Sequence, residues 1–268
     1  MKPLDVAGAG RFAAMGRVAH RAGMDCERAP GATEGPPCEQ LIDLGNCARA
    51  APAALPPCRF EFPAPRAKDG FVGFGGDLAP ETIVGAYRSG AFPWPQDGID
   101  ELWFSPLSRA VIPVNGLHIS RRLHRTLRTG RFRVSLDAAF GEVIRCCAER
   151  EEGTWITPAI TSAYCQLHEL GWAHSFEVWT GDGALVGGLY GVAVGAMFGA
   201  ESMFHRMSDA SKVAMVALTE HARRIGIELI DIQVLTEHTE RMGAVAMPRA
   251  TYLARLAQAL TREVDWCG

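Results

Sequence analysis

The sequence predicts an α/β protein: a mixed sheet layered with helices, preceded by a flexible extension. Three observations support this. A run of strand-patterned segments fills the centre of the chain, from about 174 to 204. Amphipathic stretches with recognisable starts and stops flank it. A helix and a further strand follow the central run, an order that yields a mixed sheet rather than a purely antiparallel one.

Composition agrees. The chain has 268 residues, of which 48% are hydrophobic and 21% charged, close to the average for soluble globular proteins. Collagen-like, coiled-coil and wholly disordered readings are excluded. The net charge is −3, so the chain as a whole is no polybasic nucleic-acid binder, and any such contact must come from a local patch.

Taken in order, residues 1–57 are rich in Ala, Gly and Pro, carry scattered charge of both signs and show little periodicity. They read as a flexible extension. A translation start at Met15 or Met24 would account for the same composition. Arg11 and Arg17 interrupt any apolar core for a signal peptide, so a cytosolic protein is expected.

Strong patterning begins near Phe60. Gly70-Phe-Val-Gly-Phe-Gly-Gly-Asp77 is dense in glycine, and Pro80 suits the first turn of a helix running through Tyr87. The glycines lack the Lys and Ser/Thr of a P-loop and read as tight turns. Ala91-Phe-Pro-Trp94 and Leu102-Trp-Phe-Ser-Pro106 form an aromatic and proline wall.

From Arg109 the pattern becomes regular. Strands are expected at Arg109 to Val114 and Phe132 to Leu136. Ser120 caps a helix carrying Leu123 and Leu127, and further helices span Ala138 to Ala148 and Pro158 to Leu170, the latter capped by Thr157. His174 to Thr180, Ala184 to Val194 and Met197 to Phe204 read as strands, the first two joined at Asp182-Gly183. Asp209 to Gly226 is a helix ending at a glycine, Glu228 to Leu235 a strand and Arg249 to Thr261 a closing helix. The 18 uncharged residues Gly183 to Ala200 mimic a membrane span, but ten are Gly or Ala, a turn precedes them and Glu201 ends them. A pair of strands fits better, and no membrane contact is expected.

Four constellations could carry chemistry. Six arginines lie between Arg121 and Arg133, at Arg121, Arg122, Arg125, Arg128, Arg131 and Arg133, with no acidic residue between Asn115 and Leu136. At 100° per residue, Arg121, Arg125 and Arg128 share one helix face, opposite Ile119, Leu123 and Leu127. Such a run is either a solvated face or a phosphate-binding ridge, and its lack of local compensation favours phosphate. Secondly, in Leu229-Ile-Asp-Ile-Gln-Val-Leu235 strand alternation puts Asp231 and Gln233 on one face. A buried Asp must be paired, so it either forms a salt bridge to an arginine such as Arg206 or serves a site. Gln233 cannot be a base but can hold a carbonyl or an amine. Thirdly, Glu201-Ser-Met-Phe204 places a carboxylate beside Met203, as a polar anchor of an apolar pocket or as an edge-strand residue facing water. The fourth is Glu151-Glu-Gly-Thr-Trp-Ile-Thr157, where Trp155 is core or lines a cleft.

The eight cysteines form no C-x-x-C pair and are expected as free thiols. The histidines show no metal-ligand spacing, and no G-x-S-x-G elbow is present, so neither a metal nor covalent catalysis is indicated.

Together these segments resemble the bacterial leucyl/phenylalanyl-tRNA–protein transferase family from about Phe60 to Leu260. The markers include Gly75-Gly-Asp-Leu78, Gly90-Ala-Phe-Pro-Trp94, Trp103-Phe-Ser-Pro106, Leu117-His-Ile-Ser120, Glu152-Gly-Thr-Trp-Ile-Thr157, Glu201-Ser-Met-Phe204, Leu229-Ile-Asp231 and Gln233-Val-Leu235. The resemblance implies a small N-terminal domain, 58–106, and a GNAT-like aminoacyltransferase domain, 107–268. It implies transfer of Leu, Phe or Met from aminoacyl-tRNA to proteins beginning with Arg or Lys, which marks them for degradation by the N-degron pathway. Asp231, Gln233 and Glu201 would be the catalytic centre, with Asp231 taking or relaying the ammonium proton and Gln233 positioning the attacking amine and the ester. Trp94, Trp155, Phe198 and Met203 would bind the amino-acid side chain. Leu189, Leu218 and Ala222 stand where relatives can carry larger Met or Phe side chains. The six arginines would bind the tRNA acceptor stem. No cofactor is implied, because an aminoacyl ester is already activated, and the chain is expected to act as a monomer. Two alternatives are a GNAT acetyltransferase, which lacks its glycine-rich pyrophosphate loop at His205-Arg-Met-Ser-Asp-Ala210, and a non-catalytic tRNA-binding module.

Overall fold

The computed structural model describes residues 42–43, 51–64, 67–96, 99, 101–149 and 153–267, within a compact unit spanning Cys38–Gly268. Eight strands form the main sheet. In chain order they are β1 (Ile42–Asp43), β5 (Ser108–Ile112), β6 (Phe132–Leu136), β7 (Ala173–Thr180), β8 (Leu185–Val194), β9 (Met197–His205), β10 (Leu229–Gln233) and β11 (Val245–Pro248). Their spatial order is β1-β6-β7-β8-β9-β10-β5-β11. A small second sheet pairs β2 (Phe71–Phe74), β3 (Phe92–Pro93) and β4 (Leu102–Phe104). The sheet is mixed, as expected: β1/β6 and β9/β10 are parallel and the remaining pairs antiparallel.

The helices are α1 (Pro80–Arg88), α2 (Arg121–Arg128), α3 (Phe140–Ala148), α4 (Pro158–Glu169), α5 (Ala210–Ile225), α6 (Glu237–Arg241) and α7 (Arg249–Ala259). Pro80 opens α1, while Ser120 and Thr157 cap α2 and α4 by accepting the Leu123 and Ile160 amides. Gly226 ends α5 in the left-handed region that glycine adopts without strain. The glycine-rich run 183–200 forms β8, a turn and β9. No helix among the described residues is long and apolar enough to cross a membrane.

Alternate side chains of the sheet feed two cores. On β8, Tyr190, Val192 and Val194 pack with Tyr87, Ile144, Tyr164 and Leu256, from α1, α3, α4 and α7. Leu189 and Ala193 pack with Val213, Ala214, Ala217 and Leu218 of α5. At Gly191 a Cβ would lie 2.2 Å from the Gly199 carbonyl of the paired strand, so only glycine lets these strands approach.

Several elements lay outside the sequence reading: the small sheet, α6, β11 and β1, which pairs with β6 within the segment read as an extension. Cys58, Cys146, Cys147 and Cys165 are thiols, as expected. Cys267 is disulfide-bonded, contrary to the expectation of thiols.

Candidate active site

The site forms where β9 and β10 run parallel. Met197, Phe198 and Gly199 pair with Leu229, Ile230 and Asp231, after which the two strands no longer pair. Residues just beyond that point therefore converge. Glu201 Oε1 accepts a hydrogen bond from Gln233 Nε2 at 2.7 Å. Glu201 Oε2 lies 3.5 Å from the Tyr164 hydroxyl, which pairs with the Tyr87 hydroxyl at 2.9 Å. Burial pushes the Glu201 carboxyl up to about 8, because removing charge from water costs more than these hydrogen bonds return. Burial also pushes both tyrosine hydroxyls well above their ordinary value, keeping them neutral.

Asp231 is fully buried and paired, but not with Arg206, which instead meets Glu149 at the surface. Its partner is Arg109, itself only 1% exposed. The Arg109 Nε donates to both carboxylate oxygens at 2.8 and 3.0 Å, and Nη2 donates to Oδ2 at 2.6 Å. The Tyr252 hydroxyl donates to Oδ2 at 2.8 Å and the Gln233 backbone N–H to Oδ1 at 2.9 Å. Sequence reasoning missed Arg109. The available signal was an arginine within an otherwise apolar strand, the cation that a buried Asp requires.

Gln233 departs from the expected alternation. Register shifts between Asp231 and Gln233, and Gln233 takes φ 58°. This β-bulge re-aims the Gln233 side chain. Simple alternation therefore does not describe the pair, although the bulge still delivers Gln233 to Glu201.

The aromatic residues divide into two sets. Trp94 and Trp155 stack with ring centroids 6.2 Å apart and planes 10° apart, and Trp94 meets Phe92 edge-on at 5.9 Å. The Arg109 guanidinium lies 4.6 Å from the Phe92 ring centre. Continuous contact thus runs from the Trp155 indole to the Asp231 carboxylate. The second set, Leu189, Phe198, Leu218 and the partly buried Met203, belongs to the core beneath α5 rather than to the core the tryptophans flank.

All six arginines are exposed. Arg122 reaches Asp209 at 3.2 Å and Ser208 Oγ at 2.6 Å, and Arg131 donates to the Ser208 carbonyl at 3.3 Å while lying over Phe132. The fold therefore supplies Arg122 with an acidic partner that its local sequence lacks. No ion pair among the described residues engages Arg121, Arg125, Arg128 or Arg133. No group of three His, Cys, Asp or Glu side chains with metal-holding geometry occurs among the described residues. Glu151 and Glu152 lie outside them.

Two family models match the chain: leucyl/phenylalanyl-tRNA protein transferase over residues 111–257, and the N-terminal domain of that family over 76–107. Relatives carrying the same description occur in Anaeromyxobacter sp. strain K, with 54% identity over 75% of this chain and 88% of that protein, and in Aromatoleum aromaticum, with 53% over 70% and 81%. A further relative, from Yersinia enterocolitica, shares 48% identity over 74% of this chain and 86% of its own. The structure of L-PGS from Bacillus licheniformis overlaps 58% of this chain and 65% of that one with a TM-score of 0.40 and 9% identity, too remote to inform the site.

Proposed function

The chain belongs to the leucyl/phenylalanyl-tRNA–protein transferase family and is an aminoacyltransferase; from that premise we propose that it moves Leu, Phe or Met from aminoacyl-tRNA to the α-amine of proteins beginning with Arg or Lys, marking them for N-degron degradation. The observation that carries the catalytic reading is the Glu201–Gln233 pair, set just beyond the last paired residues of β9 and β10.

The chemistry is a single exchange. The neutral α-amine attacks the ester carbonyl, a C–N bond forms, and the C–O bond to the terminal ribose breaks. The amine loses one proton and the leaving ribose oxygen gains one. Glu201 takes the first proton and returns it to that oxygen. Its pKa of about 8 matches an α-amine at about 7.7–8.0, so neither transfer is strongly uphill. Gln233, already donating to Glu201, orients the reacting groups. Asp231 acts as a positioning residue: with five donor contacts and no exposure, its carboxylate has no room for a substrate proton.

Trp94 and Trp155 form the apolar surroundings of the aminoacyl end on one side of the sheet, while Met203, Phe198, Leu189 and Leu218 belong to the core beneath α5 on the other. An apolar pocket separates similar side chains by only about 1–3 kcal/mol per methylene, which fits tolerance of Leu, Phe and Met. The arginine ridge binds acceptor-stem phosphates without reading bases. This reading treats 58–106 as a small N-terminal domain and 107–268 as a GNAT-like transferase domain, a division supported by the break between the two family matches at 107 and 111. It also places the protein in the cytosol as a monomer.

The test is incubation of the full chain with radiolabelled Phe-tRNA and a peptide starting with Arg, beside the same peptide starting with acetylated Arg. Label on the free peptide alone is expected. Binding of Phe-tRNA without product, or acetyl-CoA turnover in its place, would overturn the proposal.

A further inference from the structure

The sequence reading stopped at Asp231, Gln233 and Glu201. Arg109 joins these residues to the small sheet and to α7. Its guanidinium uses Nε and Nη2 on Asp231, Nη1 on the Gly90 carbonyl at 3.0 Å, and Nη2 also approaches the Tyr252 hydroxyl at 3.4 Å. Two rings hold it from the sides, with centroids 4.6 Å away for Phe92 and 4.5 Å for Tyr252. Five contacts of this kind need a planar fork that also stacks, which Arg provides and the compact ammonium of Lys does not.

The consequence appears two residues past Asp231. Gln233 sits at φ 58°, a region that non-glycine side chains rarely occupy and that persists only where the surroundings enforce it. Its backbone N–H is tied to Asp231 Oδ1, the same oxygen that accepts from Arg109 Nε. A rotation of the Asp231 carboxylate would release that N–H and let the bulge relax. The Gln233 amide would then swing away from Glu201.

We propose that Arg109 is a positioning residue of the transfer reaction, clamping Asp231 so that Gln233 is held in its left-handed turn with its side-chain amide on Glu201. This rests on the reading of Glu201 and Gln233 as the transfer site. The clamp touches no substrate. It acts on the rate of the bond-making step and not on the holding of tRNA.

Arg109→Lys keeps the positive charge and loses the fork. Single-turnover transfer to the Arg-starting peptide, with enzyme in saturating excess over radiolabelled Phe-tRNA, gives a rate constant that does not depend on the fraction of folded enzyme. The rate constant is expected to fall about 10- to 100-fold, the scale of a misplaced reactive group. Phe-tRNA affinity by filter binding should stay within about twofold, because none of the partners of Arg109 belongs to the arginine ridge. Adding Gln233→Ala to Arg109→Lys should lower the rate no further than Gln233→Ala does alone. An unchanged rate constant, or losses that multiply in the double variant, would overturn the proposal. If Arg109→Lys does not fold, Tyr252→Phe removes one donor from Asp231 while keeping the ring. A reduced rate constant in that variant supports the clamp, and a wild-type rate constant overturns it. Wild-type enzyme that makes no product would instead defeat the functional reading itself.

Discussion

Glu201→Gln keeps the size and polarity of the side chain and removes its ability to take a proton. The structure sets the size of the effect. From pH 6 to pH 7 the ionised fraction of a carboxyl with a pKa of about 8 rises about ninefold, and the neutral fraction of an α-amine at about 7.7–8.0 rises by nearly the same factor. With Phe-tRNA saturating and the acceptor peptide well below saturation, wild-type turnover should therefore climb about 80-fold over that unit. The Gln variant keeps only the amine's titration and should climb about ninefold, from a rate lower by about 10²- to 10⁴-fold, the usual loss on removing a general base. The assay is initial-rate transfer of radiolabelled Phe across pH 6–8. Equal slopes in the two proteins would refute the assignment of Glu201 as proton acceptor.

Other consequences are equally accessible. Asp231→Ala leaves the buried Arg109 without its carboxylate and should cost about 3–5 kcal/mol in urea unfolding, the range for breaking one side of a buried pair; a loss below about 1 kcal/mol would show that Arg109 finds water or another acceptor. Burial lifts Glu177 to about 7 from 4.5, even though Ser135, Ser175 and the Ala138 and Ala139 amides donate to it. The folded state therefore binds this proton more tightly than the unfolded one. The resulting stability is complete below about pH 4.5 and is lost as pH rises through about 7, so Glu177→Gln should flatten the urea midpoint between pH 5 and pH 8. Replacing any of Arg121, Arg125 or Arg128 by Ala should lower the slope of log affinity for tRNA against log salt by about 0.7–0.9, and Arg122→Ala by less, since Arg122 already faces Asp209. In Gly191→Ala the new methyl would meet the Gly199 carbonyl oxygen, a backbone atom with no room to move, and the variant should give little soluble protein; a wild-type melting curve would contradict this.

Much of the fold was legible because its elements have local signatures. Ser120, Thr157, Pro80 and Gly226 mark helix ends through their own hydrogen bonding or backbone preference. The strands β7 to β9 show β patterning and a glycine turn. The small sheet and β11 were not legible, because strands of two to four residues are too short to establish a period. At the site, Asp231, Gln233 and Glu201 stood out as polar residues in apolar strands, and the fold brings them together. Arg109 lies 122 residues from Asp231, so no local pattern links them. The bulge at Gln233 was equally hidden: its backbone N–H is held by Asp231, whose carboxylate is fixed in turn by Arg109 from another strand. The separation of Phe198 and Leu189 from the tryptophans reflects which side of the sheet these two strand residues face, and Leu218 follows from α5 packing on that side.

The parallel join of β9 and β10 has a practical corollary for variation among such enzymes. Two strands that run the same way stay side by side up to their last pair, so the residues just past that pair can meet without either chain turning back. The loops on either side of α5 can lengthen or shorten without disturbing the meeting point, whereas α5 itself is tied to Leu189 and Ala193 through its buried face. A slip of one residue between the strands is another matter: it would carry Glu201 about 3.3 Å along its strand relative to Gln233, more than a 2.7 Å contact can absorb. Natural diversity in this protein should therefore accumulate in the loops flanking α5 and spare the spacing between Gly199 and Glu201, and between Asp231 and Gln233.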